Sequence, residues 1–190
     1  MTEMALTILV FARRLVGPCA AILALAGAAA AQSPGTVPLD PALAEGVPGP
    51  GDLLRSVMEP YAHALASLGI WALLAIALIP LSIAGKARAR SGSGNPVRDY
   101  SDPMYRRHRA LQNSMEASGP FLAAAMAAIL AGAPPFWVNL LVSVFVLARI
   151  ATAVVHVATE NQPLRSATWA VGTACLVGLA LLAIVAGFAL

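Results

Sequence analysis

Arg109, Gln112, Asn113 and Glu116 are spaced i, i+3, i+4 and i+7, so on an α-helix they share one face. They stand in RALQNSMEASGPF (109–121), at the mouth of a long apolar run. A soluble helix could turn that face to water. In a membrane helix, polar groups usually face a cavity or a ligand. Arg149, Thr152 and His156 repeat the pattern at i, i+3 and i+7, and Arg165, Ser166 and Trp169 cluster at the start of the last apolar segment. Fixed guanidinium groups beside a single carboxylate, Glu116, suit an anionic ligand that also carries an amine. Arginine makes bidentate contacts to carboxylates, and Glu accepts an ammonium. A site so placed opens sideways to lipid, so a second ligand could be apolar.

The elements that must position these residues are membrane helices. The 190 residues are 59% hydrophobic and only 11% charged, with a mean hydropathy of +0.77. A soluble domain carries about 25% charged residues. Four segments, at about 62–85, 110–132, 136–158 and 167–190, approach the roughly 20 apolar residues of a bilayer span. Ala and Leu dominate them and no period-2 alternation persists, which predicts helices and excludes a β-barrel. The fold class expected is all-α, an integral membrane four-helix bundle over 61–190.

Two segments precede it. In residues 1–31, Arg13 and Arg14 come before the apolar run CAAILALAGAAAA (19–31), which ends in small residues. That is the plan of a secretory signal peptide cleaved after Ala31, with a retained extra helix as the alternative. Residues 32–60 are rich in Pro and Gly and lack periodicity, as in a flexible external linker, although an amphipathic run over 53–61 could lead into the first span. The two cysteines, Cys19 and Cys175, form no disulfide framework, and no metal-ligand spacing occurs.

Of the twelve Lys and Arg, seven fall between the first two spans: Lys86, Arg88, Arg90, Arg98, Arg106, Arg107 and Arg109. The positive-inside rule places this 86–109 loop in the cytoplasm, as in a multi-pass protein of a bacterial inner membrane. The net charge of +3 reflects this loop. No basic groove interleaved with aromatics suggests nucleic acid. With Arg88 closing the first span, polar residues of all four helices converge in the cytoplasmic third. Singly, each has a plainer role. Arg88, Arg109 and Arg165 could snorkel to headgroups, Asn113 could bridge helices, His156 could be a satisfied core residue, and Trp169 could anchor at the interface. Glu116 and Arg149 lie about two turns inside their spans, where an unpaired charge costs on the order of 2.5–3.5 kcal/mol, so they need partners.

With these motifs the chain resembles the MAPEG family, the membrane-associated proteins of eicosanoid and glutathione metabolism, and within it the prostaglandin E synthases. The resemblance runs from about residue 85 to the C-terminus. It is carried by GKARAR (85–90), RALQNSMEASGPF (109–121), ARIATAVVH (148–156) and PLRSATW (163–169), in order and on the expected helices. It implies a left-handed four-helix bundle, a homotrimer in contact with membrane lipids, and glutathione or another small thiol bound between subunits near the cytoplasmic face. It also implies that Arg88, Arg109, Gln112, Asn113, Glu116, Arg149 and His156 surround that tripeptide, with Arg165 and Ser166 at the sulfur. The activity implied is that of a glutathione-dependent transferase or peroxidase acting on lipophilic substrates.

The departures bear on activity. Gln112 replaces an Arg of the family motif, Thr152 stands for a His, and His156 and Trp169 stand for tyrosines. Prostaglandin synthesis is therefore not expected, whereas thiol activation remains open because the Arg165-Ser166 pair is kept. A non-enzymatic relative of the same fold, binding lipids or partner proteins, is the alternative. A channel or transporter subunit fits less well, because the polar residues occupy one depth and line no path across the bilayer.

Overall fold

The computed structural model describes residues 49–86 and 88–190. The expected signal segment, 1–31, and most of the expected linker lie outside the described residues. Residues 56–190 form one compact unit, and the chain up to Arg55 falls in another.

The described part is helical. α1 spans Pro50–Met58 and a 3₁₀ turn covers Glu59–Tyr61; then follow α2 (Ala62–Ile83), α3 (Pro103–Leu130), α4 (Pro135–Ala158) and α5 (Gln162–Gly187). The segment 50–60, expected to be flexible linker, is thus regular structure. Its Leu53, Leu54 and Val57 are exposed on an amphipathic helix. Three stretches, Pro50–Ile83, Pro135–Ala158 and Gln162–Gly187, are long and apolar enough to cross a membrane. α3 is equally long but more polar, because its first turns carry Arg106, Arg107, Arg109, Gln112, Asn113 and Glu116. It begins seven residues earlier than its apolar run, since Asp102 caps it: one carboxylate oxygen accepts from Met104 N–H at 2.9 Å, with Pro103 in the first turn.

α3 and α4 pack against each other and against both remaining spans, while α2 and α5 sit on the diagonal. Small residues permit the close approach. Ala117, Ala124, Ala125 and Ala128 form the buried stripe of α3. Phe121 and Phe145 stack at the centre with ring centroids 3.9 Å apart, and Trp71 meets both edge-on at 5.7 and 5.5 Å. The end of the bundle away from the 84–102 loop is closed by polar ties. Asn139 accepts from Ala64 N–H at 2.9 Å and donates to the Pro60 carbonyl at 2.7 Å, and the Tyr61 hydroxyl donates to the Ala133 carbonyl at 2.6 Å. Asn139 therefore satisfies two backbone groups where the 3₁₀ turn passes into α2.

Replacing Asn139 by Leu leaves both groups without their partner. The expected loss is about 1 kcal/mol, the scale of a hydrogen bond within a membrane bundle. Thermal unfolding in detergent should show a melting temperature lower by a few degrees; an unchanged one would mean that the tie is dispensable.

Candidate functional site

The chain runs up and down, so α2 and α4 end, and α3 and α5 begin, at the same end of the bundle. Both entering helices start on a side-chain cap. Asp102 caps α3, and Asn161 accepts from Leu164 N–H at 3.0 Å to cap α5. Their positive dipole ends and their first-turn side chains are thereby fixed around one point.

The loop between α2 and α3 is built onto this frame. Gly85, at φ +100°, turns the chain out of α2, where the Ala84 carbonyl accepts from Arg107 Nη1 at 2.8 Å. A small hairpin follows, with Arg90 bridged to Pro96 and Gly94 at φ +83°. Asp102, only 3% exposed, accepts the Arg88 N–H at 2.9 Å as well as that of Met104, and these two backbone donors hold its carboxyl below the ordinary range. The Asp99 carboxyl is likewise lowered, first by the hydroxyl and then by the backbone N–H of Ser101, at 2.9 and 2.8 Å. Arg106 donates to the Tyr100 carbonyl at 2.7 Å and pairs with Glu160 at 3.2 Å, which ties the loop to the α4–α5 turn.

Between these elements lies an open cleft of about 320 Å³. α3 contributes Arg109 and Asn113, and α4 contributes His156. α5 contributes Gln162, Arg165, Ser166 and Trp169, and the loop supplies Arg98 and Tyr100. Arg165 is 7% exposed; its guanidinium lies 4.0 Å over the Tyr100 ring, and its Nη1 has no hydrogen-bond partner. His156 is also 7% exposed and is held by a 2.9 Å bond between Nδ1 and the Thr152 carbonyl.

The convergence expected from spacing is therefore present for Arg109, Asn113, His156, Arg165, Ser166 and Trp169. Four expected site residues stand apart from the cleft wall in the single chain. Arg88 sits on the loop, donating to Ser101 Oγ at 2.9 Å. Gln112 is exposed on the outer face of α3. Glu116 is exposed on the same face and finds its partner on its own helix, accepting from Arg109 Nη1 at 2.9 Å, so its depth in the span does not leave it buried. Arg149 is 3% exposed in the bundle interior, with its guanidinium carbon 5.2 Å from the Phe145 ring centre and its Nε and Nη1 unpartnered. Arg149 packs against Gly172 of α5, where a Cβ would lie 3.4 Å from its Nε, at contact distance. Sequence reasoning missed Arg98, Tyr100 and Gln162. The available signal was the basic and aromatic character of the residues just before α3.

A family model, the MAPEG family, matches residues 63–185. The chain belongs to the MAPEG family. The matched region takes in α3 and α4 entirely and nearly all of α2 and α5, hence every helix that walls the cleft. This MAPEG protein is accordingly an integral membrane helical bundle. Comparison with the curated proteins and with the solved structures returns no match.

Asp102 holds the loop to the MAPEG bundle through two backbone bonds, so Asp102→Ala should cost about 1–2 kcal/mol and speed tryptic cleavage at Arg88, Arg90 and Arg98. Its folded pKa is depressed, so its contribution is full above the unfolded value near 3.9 and fades as pH falls through the folded one. The melting temperatures of parent and variant should differ at neutral pH and converge in acid. A gap that persists at low pH would assign the effect to something other than the carboxylate.

Proposed function

We propose that the chain is a membrane-bound glutathione-dependent transferase or peroxidase. In this reading the cleft lies at the cytoplasmic face of a bacterial inner membrane, in a homotrimer. The observation that carries the reading is Arg165. It is a buried guanidinium with a free Nη1, in a cleft that Ser166, Arg98 and Arg109 also line. Such a donor set calls for an anion, and a thiol tripeptide with two carboxylates supplies several.

The bound tripeptide would contribute a nucleophilic sulfur for attack on an electrophile or hydroperoxide dissolved in lipid. The protein's own groups do the rest. Arg98 and Arg109 offer guanidinium donors to carboxylates, and Asn113 offers an amide donor and acceptor to the peptide. Arg165 and Ser166 favour negative charge at the sulfur. A thiol pKa of about 8.5 brought to about 6.5 corresponds to roughly 2.7 kcal/mol of preference for the anion. One charge-assisted and one neutral hydrogen bond to the sulfur can supply that order. Glu116 and Gln112, exposed on the outer face of α3, would meet the ligand through the neighbouring subunit, where Glu116 suits the ammonium. Trp169, exposed at the rim, fits an apolar second substrate arriving from the bilayer.

One feature favours a second reading, a non-enzymatic member binding lipids or partner proteins. The Tyr100 ring already covers one face of the Arg165 guanidinium, as a purely structural cation–π pair would. Glutathione titration of the detergent-solubilised protein, followed by the ultraviolet absorbance of the thiolate, separates the two. Thiolate should form at neutral pH in the parent and fall at least tenfold in Arg165→Ala. Absence of binding at millimolar glutathione would leave the non-catalytic reading.

A further inference from the structure

We propose that His156 is the base that takes the proton from the thiol in the cleft. This rests on the glutathione reading above. A carbonyl oxygen can only accept, so the 2.9 Å contact between His156 Nδ1 and the Thr152 carbonyl places the ring proton of neutral His156 on Nδ1. Nε2 is then the nitrogen with the lone pair. It has no hydrogen-bond partner among the described residues, nor is it among the buried unpartnered atoms, so it is open to the cleft that the residue lines. The helix backbone thus fixes an acceptor at a position where a phenol would offer a donor.

Among the side chains of this chain that line the cleft, His156 is the one that can accept the proton. The remaining side chains that line the cleft are arginines, a phenol, two amides, a hydroxyl and an indole. None of these accepts a proton near neutral pH, whereas a neutral imidazole carries a basic lone pair. Glu116 is outside the cleft wall and held by Arg109. The charged groups around the imidazole are Arg109 from α3, Arg149 from its own helix and Arg165 from α5, with Arg98 and the Tyr100 phenol from the loop. α2, packed on α4 from the other side, carries no ionisable side chain except His63 at its far end.

In the step, the S–H bond breaks and its electron pair stays on sulfur, while the proton binds the Nε2 lone pair. The guanidinium groups favour the new anion and disfavour a lasting imidazolium among them. The proton therefore passes on to water at the open mouth of the cleft, and His156 returns to its neutral form. His156 is in this sense a relay, setting how fast the anion forms rather than how tightly the tripeptide binds.

The test is stopped-flow ultraviolet absorbance on mixing the full-length protein in detergent with glutathione, alongside equilibrium dialysis. In His156→Ala the thiolate signal should appear about 100-fold more slowly, the lower range for a general base, with affinity changed by no more than a few-fold. Added free imidazole should restore the rate in proportion to its neutral fraction. His156→Gln keeps an amide donor for the Thr152 carbonyl but has no basic lone pair, so it should be equally slow. Glutathione binding with an unchanged rate in both variants would overturn the base while leaving the glutathione reading intact. A parent protein that does not bind glutathione would remove both.

Discussion

An arginine cannot relieve burial by shedding its proton, so each guanidinium drawn into a bundle must find electron density. This bundle draws in two. Arg149 and Arg165 are nearly fully buried, and between them they leave Nε and Nη1 of the first and Nη1 of the second without partners. They meet the constraint differently. Arg149 lies enclosed between α4 and α5, against the Phe145 ring and the backbone notch at Gly172. Arg165 lies at the wall of an open cleft, against the Tyr100 ring. The first resembles a structural cation spread over aromatic and small-residue surface, while the second is a cation with one donor left for something that enters.

Much of the remaining architecture follows from holding Arg165 in that position. It sits in the first turn of α5, where helices fray, and the Asn161 cap suppresses fraying. Its aromatic partner belongs to a loop, which would ordinarily be mobile. Tyr100 is instead held through its carbonyl by Arg106, and Arg106 in turn reaches Glu160 just before α5. Asp102 closes the arrangement by joining the start of the loop at Arg88 to the start of α3. The loop carries four of the chain's twelve Lys and Arg, yet it is ordered by a few hydrogen bonds to carboxylates and carbonyls. The cleft therefore rests on interactions gathered at one end of the bundle, and the Phe121–Phe145 stack holds the helices together at the middle.

The helical periodicity showed which residues share a face, and that was enough to anticipate Arg109 with Asn113 and His156 with Arg149 on common stripes. It could not show which way a stripe faces. Asn113 and Glu116 are three residues apart, yet Asn113 is buried against the bundle while Glu116 is exposed with Arg109 bent over it. α3 is polar along its first four turns, so its own pattern does not single out an inner face; packing against α4 and α5 decides it. Arg98 and Tyr100 were legible only as basic and aromatic character before α3, because a loop has no period and its place over Arg165 depends on Asp102 and Arg106, two contacts of tertiary origin. The helix over 50–58 was obscured by its Pro and Gly, which here fall at the start of a helix, where Pro is favoured.

The resemblance to the prostaglandin E synthases implies a tyrosine at position 156, and that gives the proposed base its contrast. A tyrosine hydroxyl there would be a donor able to serve an anion already formed. In the proposed reading the imidazole, bound to its own helix carbonyl, presents a lone pair instead, which would serve the step before, when the proton has yet to leave. Trp169, where the same resemblance implies a tyrosine, puts a larger apolar ring at the exposed rim of the cleft. With Gln112 in place of a guanidinium, the cleft relies on Arg98, Arg109 and Arg165 for its positive charge. In the proposed reading the three differences point the same way. Charge and hydrogen-bond donors that would read a polar, oxygenated substrate would be fewer, while the groups proposed to ionise a thiol are present. An apolar rim rejects little beyond shape, so such a site would discriminate among lipid-phase electrophiles weakly. On that proposal it would suit broad reactivity better than selection of one oxygenated lipid.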